Sequence, residues 1–126
     1  MGIVFLKKAI SFLGEIMSTV NAFCPKGKTY LVTTTAVQVS ATDNCAPISY
    51  RIRNLDVATT YLAWAPADPT GAAVTLSAPT TPTAGNPQAN VIGMFPESVE
   101  IFTLPPNAWF ISGTANALEI TPGEGI

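Results

Sequence analysis

Two pairs of carboxylates are the first candidates for chemistry, because paired carboxylates can act as general acid and base. Glu97 and Glu100 stand three residues apart in a run with strand composition. An odd spacing in a strand directs side chains to opposite faces, so these two carboxylates are not expected to share a site. Asp43 and Asp56 stand in turn contexts, where aspartate caps backbone groups. None of the four is therefore expected to act in acid–base catalysis.

Histidine is absent from the 126 residues, and only two cysteines are present. The commonest general base and the commonest transition-metal ligand are thus missing, and a Ser-His-Asp triad cannot form. Cys24 and Cys45 lack a CxxC spacing, and two thiols cannot complete a structural zinc site. We expect both thiols to be free and buried, with one disulfide as the alternative. These absences predict that the chain is not an enzyme and binds no cofactor or metal.

Charged residues make up 11% of the chain, against about 25% in typical soluble domains. So low a charge content protects a monomer poorly against association and favours a component of a permanent assembly. The segment through Lys28 carries four lysines and one glutamate, whereas the rest carries two arginines and seven carboxylates. An acidic body with two arginines has no row of basic residues that could contact a phosphate backbone, so nucleic acid is not an expected partner.

The elements that would position these side chains fall into two parts, of which the first is residues 1–28. Apolar residues recur at gaps of three and four between Met1 and Asn21, which predicts an amphipathic helix that ends before Pro25 and Gly27. The helix either packs on the core of its own domain or anchors the chain to a partner or to copies of itself. The size of its apolar stripe favours an anchoring arm. The expected contact residues are Ile3, Leu6, Lys7, Lys8, Ile10, Leu13 and Met17.

A membrane or secretory role for this segment is not expected. Glu15 interrupts the apolar run that a signal peptide would need after Lys7 and Lys8. The longest uncharged stretch is also too short to span a bilayer.

Residues 29–126 form the second part, which is rich in threonine, valine, alanine and proline and has no long helical period. Short runs of strand composition alternate with turn residues, which predicts an antiparallel β-sandwich of about eight strands, most simply a jelly roll. Only Asp56 separates the second and third runs, which indicates a tight hairpin, and the proline-rich run Ala78–Gln88 is predicted to be a loop. The predicted strands are Tyr30–Ser40, Ile48–Leu55, Val57–Trp64, Ala72–Ser77, Asn90–Phe95, Ser98–Leu104, Ala108–Ser112 and Ala115–Thr121.

Two arginines and several aromatic residues are the candidate contact residues of the β domain. Arg51 and Arg53 share one strand face, which either is solvated or contacts an acidic patch on a neighbouring subunit. The aromatic side chains, Trp64 and Trp109 among them, either pack in the core, reach a subunit interface or stack on sugars. Because the adjacent residues Trp109 and Phe110 point to opposite faces, at least one of them is expected to reach a surface or an interface.

Several short sequence segments of the β domain resemble segments of small virion proteins of tailed bacteriophages. These segments are YRIRN at 50–54 with ATTYLAW at 58–64, EIFTL at 100–104, WFIS at 109–112 and the closing LEITPGEG at 118–125. The resemblance covers residues 51–125 with a gap in the proline-rich loop. The proteins of this kind are capsid cement or decoration proteins.

The resemblance implies a small β-sandwich or jelly-roll subunit, often a homotrimer, on the capsid surface of a virion that is assembled in the host cytoplasm. Its implied partner is the shell of the major capsid protein, whose neighbouring subunits it bridges, and it brings no catalytic residues. Two other functions stay open. One is a head–tail connector or tail component, and the other is a carbohydrate-binding module that uses Trp64, Trp109 or Tyr61.

Overall fold

Proline, glycine and asparagine interrupt the apolar runs of this chain, and its strands are accordingly short. The computed structural model describes residues 22–41 and 49–125. The strands in these residues pair antiparallel in two sheets, which confirms the predicted mainly-β class. They are β1 (Cys24–Pro25), β2 (Tyr30–Val32), β3 (Val37–Gln38), β4 (Ser49–Asn54), β5 (Thr60–Ala65), β6 (Val91–Met94), β7 (Val99–Thr103), β8 (Trp109–Ser112) and β9 (Leu118–Glu124).

Most consecutive strands along the chain belong to different sheets. The first sheet has the order β1-β9-β4-β7, and β2 pairs with β9 beyond the end of β1. The second sheet has the order β3-β8-β5-β6. Every connection from β2 to β5, and every one from β6 to β9, therefore leads from one sheet to the other. As a result, most neighbouring strands within a sheet are far apart in the sequence.

The core lies between the sheets and is filled by alternate residues of both. Tyr50 and Ile52 on β4, Ile120 on β9, and Leu62 and Phe110 from the second sheet are fully buried there. The rings of Tyr50 and Phe110 meet edge to face, with centroids 5.1 Å apart and planes at 66°. Such aromatic pairs add about 0.5–1.5 kcal/mol beyond the burial of their area, so this contact holds the two sheets together.

The run Tyr30–Ser40 is not the single strand that its composition predicts. The chain bends at residues 34–35, so that β2 joins the first sheet and β3 joins the second. Thr33 fixes the bend, because its carbonyl oxygen accepts a hydrogen bond from Ser112 N at 2.9 Å and its Oγ1 accepts one from Thr35 N at 3.1 Å. Strand propensity does not indicate that the chain changes sheets, since the residues on both sides of the bend are extended.

Two other predicted elements are wrong. The hairpin around Asp56 does not form, because β4 belongs to the first sheet and β5 to the second. The run Ala72–Ser77 forms no strand and belongs instead to the long β5–β6 connection. Both errors have one cause, which is that composition indicates an extended conformation but does not identify a pairing partner.

The last strand runs further than its sequence predicts. It continues beyond Thr121 through Pro122 and Gly123 to Glu124. A Cβ at Gly123 would overlap the ring of Phe23, so only glycine lets this ring, next to β1, pack so closely against β9.

The predicted N-terminal helix lies outside the described residues. The same holds for its contact residues Ile3, Leu6, Lys7, Lys8, Ile10, Leu13 and Met17, and for Asp43 and Cys45. Strand β1 lies within the predicted linker and pairs with the end of β9. None of the described residues belongs to a helix that is long and apolar enough to cross a membrane.

Candidate functional site

The outward face of the second sheet is covered by the long β5–β6 connection, residues 66–90. Ala63 on β5 and Ile111 on β8 are neighbours on this face, yet they are only 7% and 3% exposed. Pro79 of the connection is buried, and its carbonyl oxygen would lie 2.6 Å from a Cβ at Gly113. The connection thus covers the middle of this face, around Ala63 and Ile111, and leaves a cleft at one end of it.

The outward face of the first sheet is open around its two arginines, whereas Thr121, which also points outward on β9, is buried. On β4, Arg51 and Arg53 are exposed while Tyr50 and Ile52 are buried, so both guanidinium groups share the outward face, as the sequence predicts. Apolar and acidic side chains on the neighbouring strands lie beside them on the same face. We define the open face by its outward residues, which are Leu31, Arg51, Arg53, Val99, Ile101 and Glu119.

The open face carries a net positive charge on a chain whose formal net charge is −2. Arg53 Nη1 lies 3.5 Å from Glu119 Oε1, and this ion pair is weak because the two side chains are 52% and 34% exposed. Arg51 makes no ion pair with any described residue. Leu31 and Val99 flank the arginines and are about half exposed. Arginines beside exposed apolar side chains are typical of protein–protein contacts.

One end of the molecule exposes three large apolar side chains on two neighbouring turns. Val57 in the β4–β5 turn and Phe95 in the β6–β7 turn are 80% and 76% exposed, and Leu55 is exposed beside Val57. A hydrogen bond of 3.1 Å from Glu97 N to Asp56 O joins the two turns. We call Leu55, Val57 and Phe95 the apolar tip. Contiguous exposed apolar side chains of this kind indicate a contact with another surface.

The buried amide of Asn54 holds the apolar tip in place. Asn54 is the last residue of β4 and is 1% exposed. Its side chain donates from Nδ2 and accepts at Oδ1 in five hydrogen bonds of 3.0–3.2 Å, whose partners are Ala58 O, Met94 O, Phe95 O, Asp56 N and Thr60 Oγ1. These partners belong to both turns, so one side chain fixes the positions of Val57 and Phe95 relative to each other. The backbone of the tip is thus held in place before binding, which lowers the entropic cost of ordering it on contact.

A cleft of about 350 Å³ lies at the opposite end of the second sheet, between β5, the start of β6 and residues 76–79 and 88–90 of the β5–β6 connection. We call it the Trp64 cleft. Its walls are mainly apolar and include Trp64, Leu76, Pro79, Ala89 and Val91, and no charged residue lines it. A cavity of this size is at the lower end of ligand pockets, which span roughly 300–1,000 Å³.

The candidate aromatic residues lie in separate surroundings. Trp64 is half-buried and packs against the core. Phe110 is buried in the core, whereas its neighbour Trp109 is half-buried with an Nε1 that has no hydrogen-bond partner among the described residues. The Tyr61 ring packs against Gly93, where it would lie 3.0 Å from an added Cβ. The arrangement therefore offers a sugar no shared stacking platform.

No family model, curated protein or solved structure matches this chain. The resemblance to phage virion proteins accordingly stays a prediction. The assignment of a function then depends on the geometry and chemistry of the surfaces themselves.

The candidate carboxylates lie in different local structures. Glu97 lies in the β6–β7 turn with a φ of 57°, whereas Glu100 lies on β7, so the strand spacing expected for this pair does not apply. Asp56 Oδ1 accepts a hydrogen bond from Val57 N at 2.7 Å, which confirms the capping role predicted for a turn aspartate. Among the described residues, no group of three or more aspartate, glutamate, cysteine or histidine side chains could hold a metal ion.

The described cysteine differs from its expected environment. Cys24 is a free thiol, as expected, but it is exposed rather than buried. It lies on β1, a two-residue strand at the edge of the first sheet, and among the described strands only β9 pairs with it.

Sequence reasoning found the two arginines of the open face and missed the apolar tip. The available signal was the occurrence of Val57 and Phe95 in the turn segments LDV and FPE. Large apolar residues are uncommon in turns, where glycine, proline, asparagine, aspartate and serine dominate. An apolar residue between turn residues is therefore a candidate for a contact outside the core.

Proposed function

We propose that this chain is a non-enzymatic structural subunit of a tailed-phage virion, a cement or decoration protein on the capsid surface. The main support for the proposal is the difference between the outward faces of the two sheets. One outward face is covered by the chain's own β5–β6 connection, while the other is open and presents two arginines among apolar side chains. A chain with few charges, whose described residues leave the arginine-bearing part of one face exposed, suits a permanent place in an assembly.

The strand order supports the same proposal. The first sheet has five strands, in which β2 and β1 both pair with β9 in the order β9-β4-β7, and the second has four in the order β3-β8-β5-β6. We assign this order to a jelly-roll β-sandwich, an architecture of viral capsid and lectin domains. Because the fold alone does not define a function, the choice between these two classes depends on the open face and the separated aromatic residues.

In the proposed mechanism the open face binds an acidic area of the major capsid protein and bridges neighbouring subunits. Arg51 and Arg53 supply bidentate donors for carboxylates, while Leu31, Val99 and Ile101 bury apolar surface beside them. Such burial contributes about 25 cal/mol per Å² before the costs of association. A homo-oligomer with N-terminal arms would attach at several points at once and so gain avidity.

Counting the copies of the chain per virion tests the proposed function. Quantitative mass spectrometry of purified virions would give the ratio of this chain to the major capsid protein. A decoration subunit repeats over the shell and is expected in on the order of hundreds of copies, whereas a ring-shaped connector contributes roughly a dozen. Absence from the virion, or a connector-like ratio, would overturn the assignment.

Replacing both arginines of the open face is expected to release the protein from shells. The double variant Arg51→Ser, Arg53→Ser should bind empty shells of the same phage at least roughly 100-fold more weakly, because each of the two lost charge-assisted hydrogen bonds costs about 1.5–3 kcal/mol. Sedimentation of shells with labelled protein measures the bound fraction.

The matched control changes the charge by the same amount on the covered side. Thr75→Glu and Ala84→Glu lie at exposed positions of the β5–β6 connection and also lower the net charge by two. This control should bind shells like the unmodified protein. Equal losses in both variants would mean that net charge, and not the open face, governs binding.

Deleting Met1–Val20 is expected to leave a folded β domain that no longer binds shells at full occupancy. The reason is that the apolar stripe of the arm is expected to supply buried area that the β domain lacks. Circular dichroism checks the fold, and the same sedimentation measures binding. Full occupancy by the truncated protein would show that the arm has no part in attachment.

A further inference from the structure

The apolar tip and the Trp64 cleft lie at opposite ends of the second sheet. Strand β5 begins at Thr60, next to the tip, and ends at Ala65 in the cleft. Its partner β6 runs the other way, from Val91 in the cleft to Met94, next to the tip. Five steps along a strand separate the two features by roughly 16 Å. One copy therefore cannot fill its own cleft with its own tip.

We infer that the apolar tip of one copy docks into the Trp64 cleft of a second copy, in a head-to-tail contact. The tip presents Phe95 and Val57, which are exposed and do not pack in the core of their own copy. The cleft offers an apolar space of about 350 Å³, large enough for an aromatic and an aliphatic side chain together. Burying both side chains removes from water the two large apolar side chains with the highest exposed fractions among the described residues.

The polar groups around the two features also match. Glu97 and Asp56 flank the tip and bring carboxylates to its rim. The cleft is lined by no charged residue, so no like charge opposes them, and its lining includes Ser77 and Asn90. The Ser77 hydroxyl and the Asn90 amide make no side-chain hydrogen bond to a described residue, so both are available as donors to carboxylates.

The geometry of such a contact determines the kind of assembly. Two different surfaces of the same chain meet, so the interface is heterologous and builds a ring if its rotation closes and a filament if it does not. Neither surface belongs to the open face, which stays free. Self-association of this kind does not depend on shell binding and can be tested on the isolated protein.

The contact is small, and its affinity should be modest. The tip comprises three side chains, far fewer than the roughly 20–30 residues per side of a standard interface. Association should therefore rise with protein concentration, and closure of a ring would strengthen it because each copy then makes two contacts.

Sedimentation equilibrium of the full chain over a wide concentration range tests the inference. The unmodified protein should form oligomers that dissociate on dilution. Phe95→Ser removes the main anchor of the tip, and Ala89→Arg places a long charged side chain in the cleft wall. Each variant alone should associate roughly 30-fold more weakly or worse, as expected for loss of a hot-spot residue.

Mixing the two variants separates this contact from every other arrangement. The Phe95→Ser chain keeps an intact cleft and the Ala89→Arg chain keeps an intact tip, so an equimolar mixture should form dimers of one copy of each and nothing larger. Val99→Ser, a polar substitution on the open face, is the matched control and should leave the oligomers unchanged. Circular dichroism confirms that all variants fold.

Three results would overturn the inference. The first is an unmodified chain that stays monomeric at every concentration. The second is an Ala89→Arg chain that still forms the full oligomer while Phe95→Ser does not, which would indicate a tip-to-tip contact. The third is an oligomer that persists in both variants, which would place the interface elsewhere.

Discussion

Replacing Asn54 with leucine is expected to lower the free energy of unfolding by at least about 3 kcal/mol. Leucine keeps a similar volume but removes an amide that makes five hydrogen bonds at a site that is 1% exposed. The buried Thr60 hydroxyl would lose its acceptor, and three backbone carbonyl oxygens would each lose a donor. Each buried group left unsatisfied costs about 1–3 kcal/mol.

Thermal denaturation followed by circular dichroism measures this loss, which corresponds to a decrease in Tm of roughly 10–20 °C for a domain of this size. Asn86→Leu is the matched control, because it makes the same substitution at an exposed position of the β5–β6 connection. The control should stay within about 0.5 kcal/mol of the unmodified protein. Equal stability of the two variants would mean that the amide network does not hold the turns together.

Replacing Tyr50 with alanine is expected to cost about 3–5 kcal/mol, a large part of the roughly 5–15 kcal/mol that stabilises a typical domain. The substitution opens a cavity between the sheets and removes the edge-to-face contact with Phe110. It also removes a hydroxyl that donates a hydrogen bond to Pro105 O at 2.7 Å and accepts one from Ala108 N at 3.2 Å. Urea denaturation measures the change in the free energy of unfolding.

Tyr50→Phe isolates the hydroxyl, since it keeps the ring in the core. It should cost about 1–3 kcal/mol at neutral pH, because Pro105 O and Ala108 N lose their partner. A cost as large as that of the alanine variant would show that the ring contributes little, and no cost would show that the two hydrogen bonds do not stabilise the fold.

The same pair of proteins should differ in alkaline solution. Burial raises the pKa of the Tyr50 hydroxyl above its ordinary value near 10, while the backbone groups of Ala108 and Asn107 act in the opposite direction. The unfolded chain loses this proton near pH 10, whereas the folded chain still holds it, so stability falls as the pH rises from 10 towards the folded pKa. Tyr50→Phe lacks this loss, and its stability should therefore decline less steeply over that range.

Local sequence was sufficient to predict most of the strands and, within them, the faces to which the side chains point. In β4 the alternation of apolar and charged residues places Tyr50 and Ile52 inside and Arg51 and Arg53 outside, because successive side chains of a strand point to opposite faces. The arginines of the open face could thus be named from spacing alone.

Strand partners could not be predicted in the same way. Strand β4 pairs with β7 and β9, although its nearest neighbour in sequence is β5. The sequence around Asp56 has the composition of a hairpin turn, but β5 belongs to the other sheet. Asn54 holds this crossing in place, because it bonds to groups of both the β4–β5 and the β6–β7 turns. Pairing depends on packing against distant segments, which no local pattern contains.

The sequence by itself determined that the chain is mainly β, that it has no histidine for catalysis or metal binding, and that two arginines share one face. Only the tertiary structure decided that this face is the open one, that the other is covered by residues 66–90, and that an apolar tip and an apolar cleft stand at opposite ends. The physical reason is that periodicity fixes the direction of a side chain, whereas its exposure depends on which remote segment packs against it.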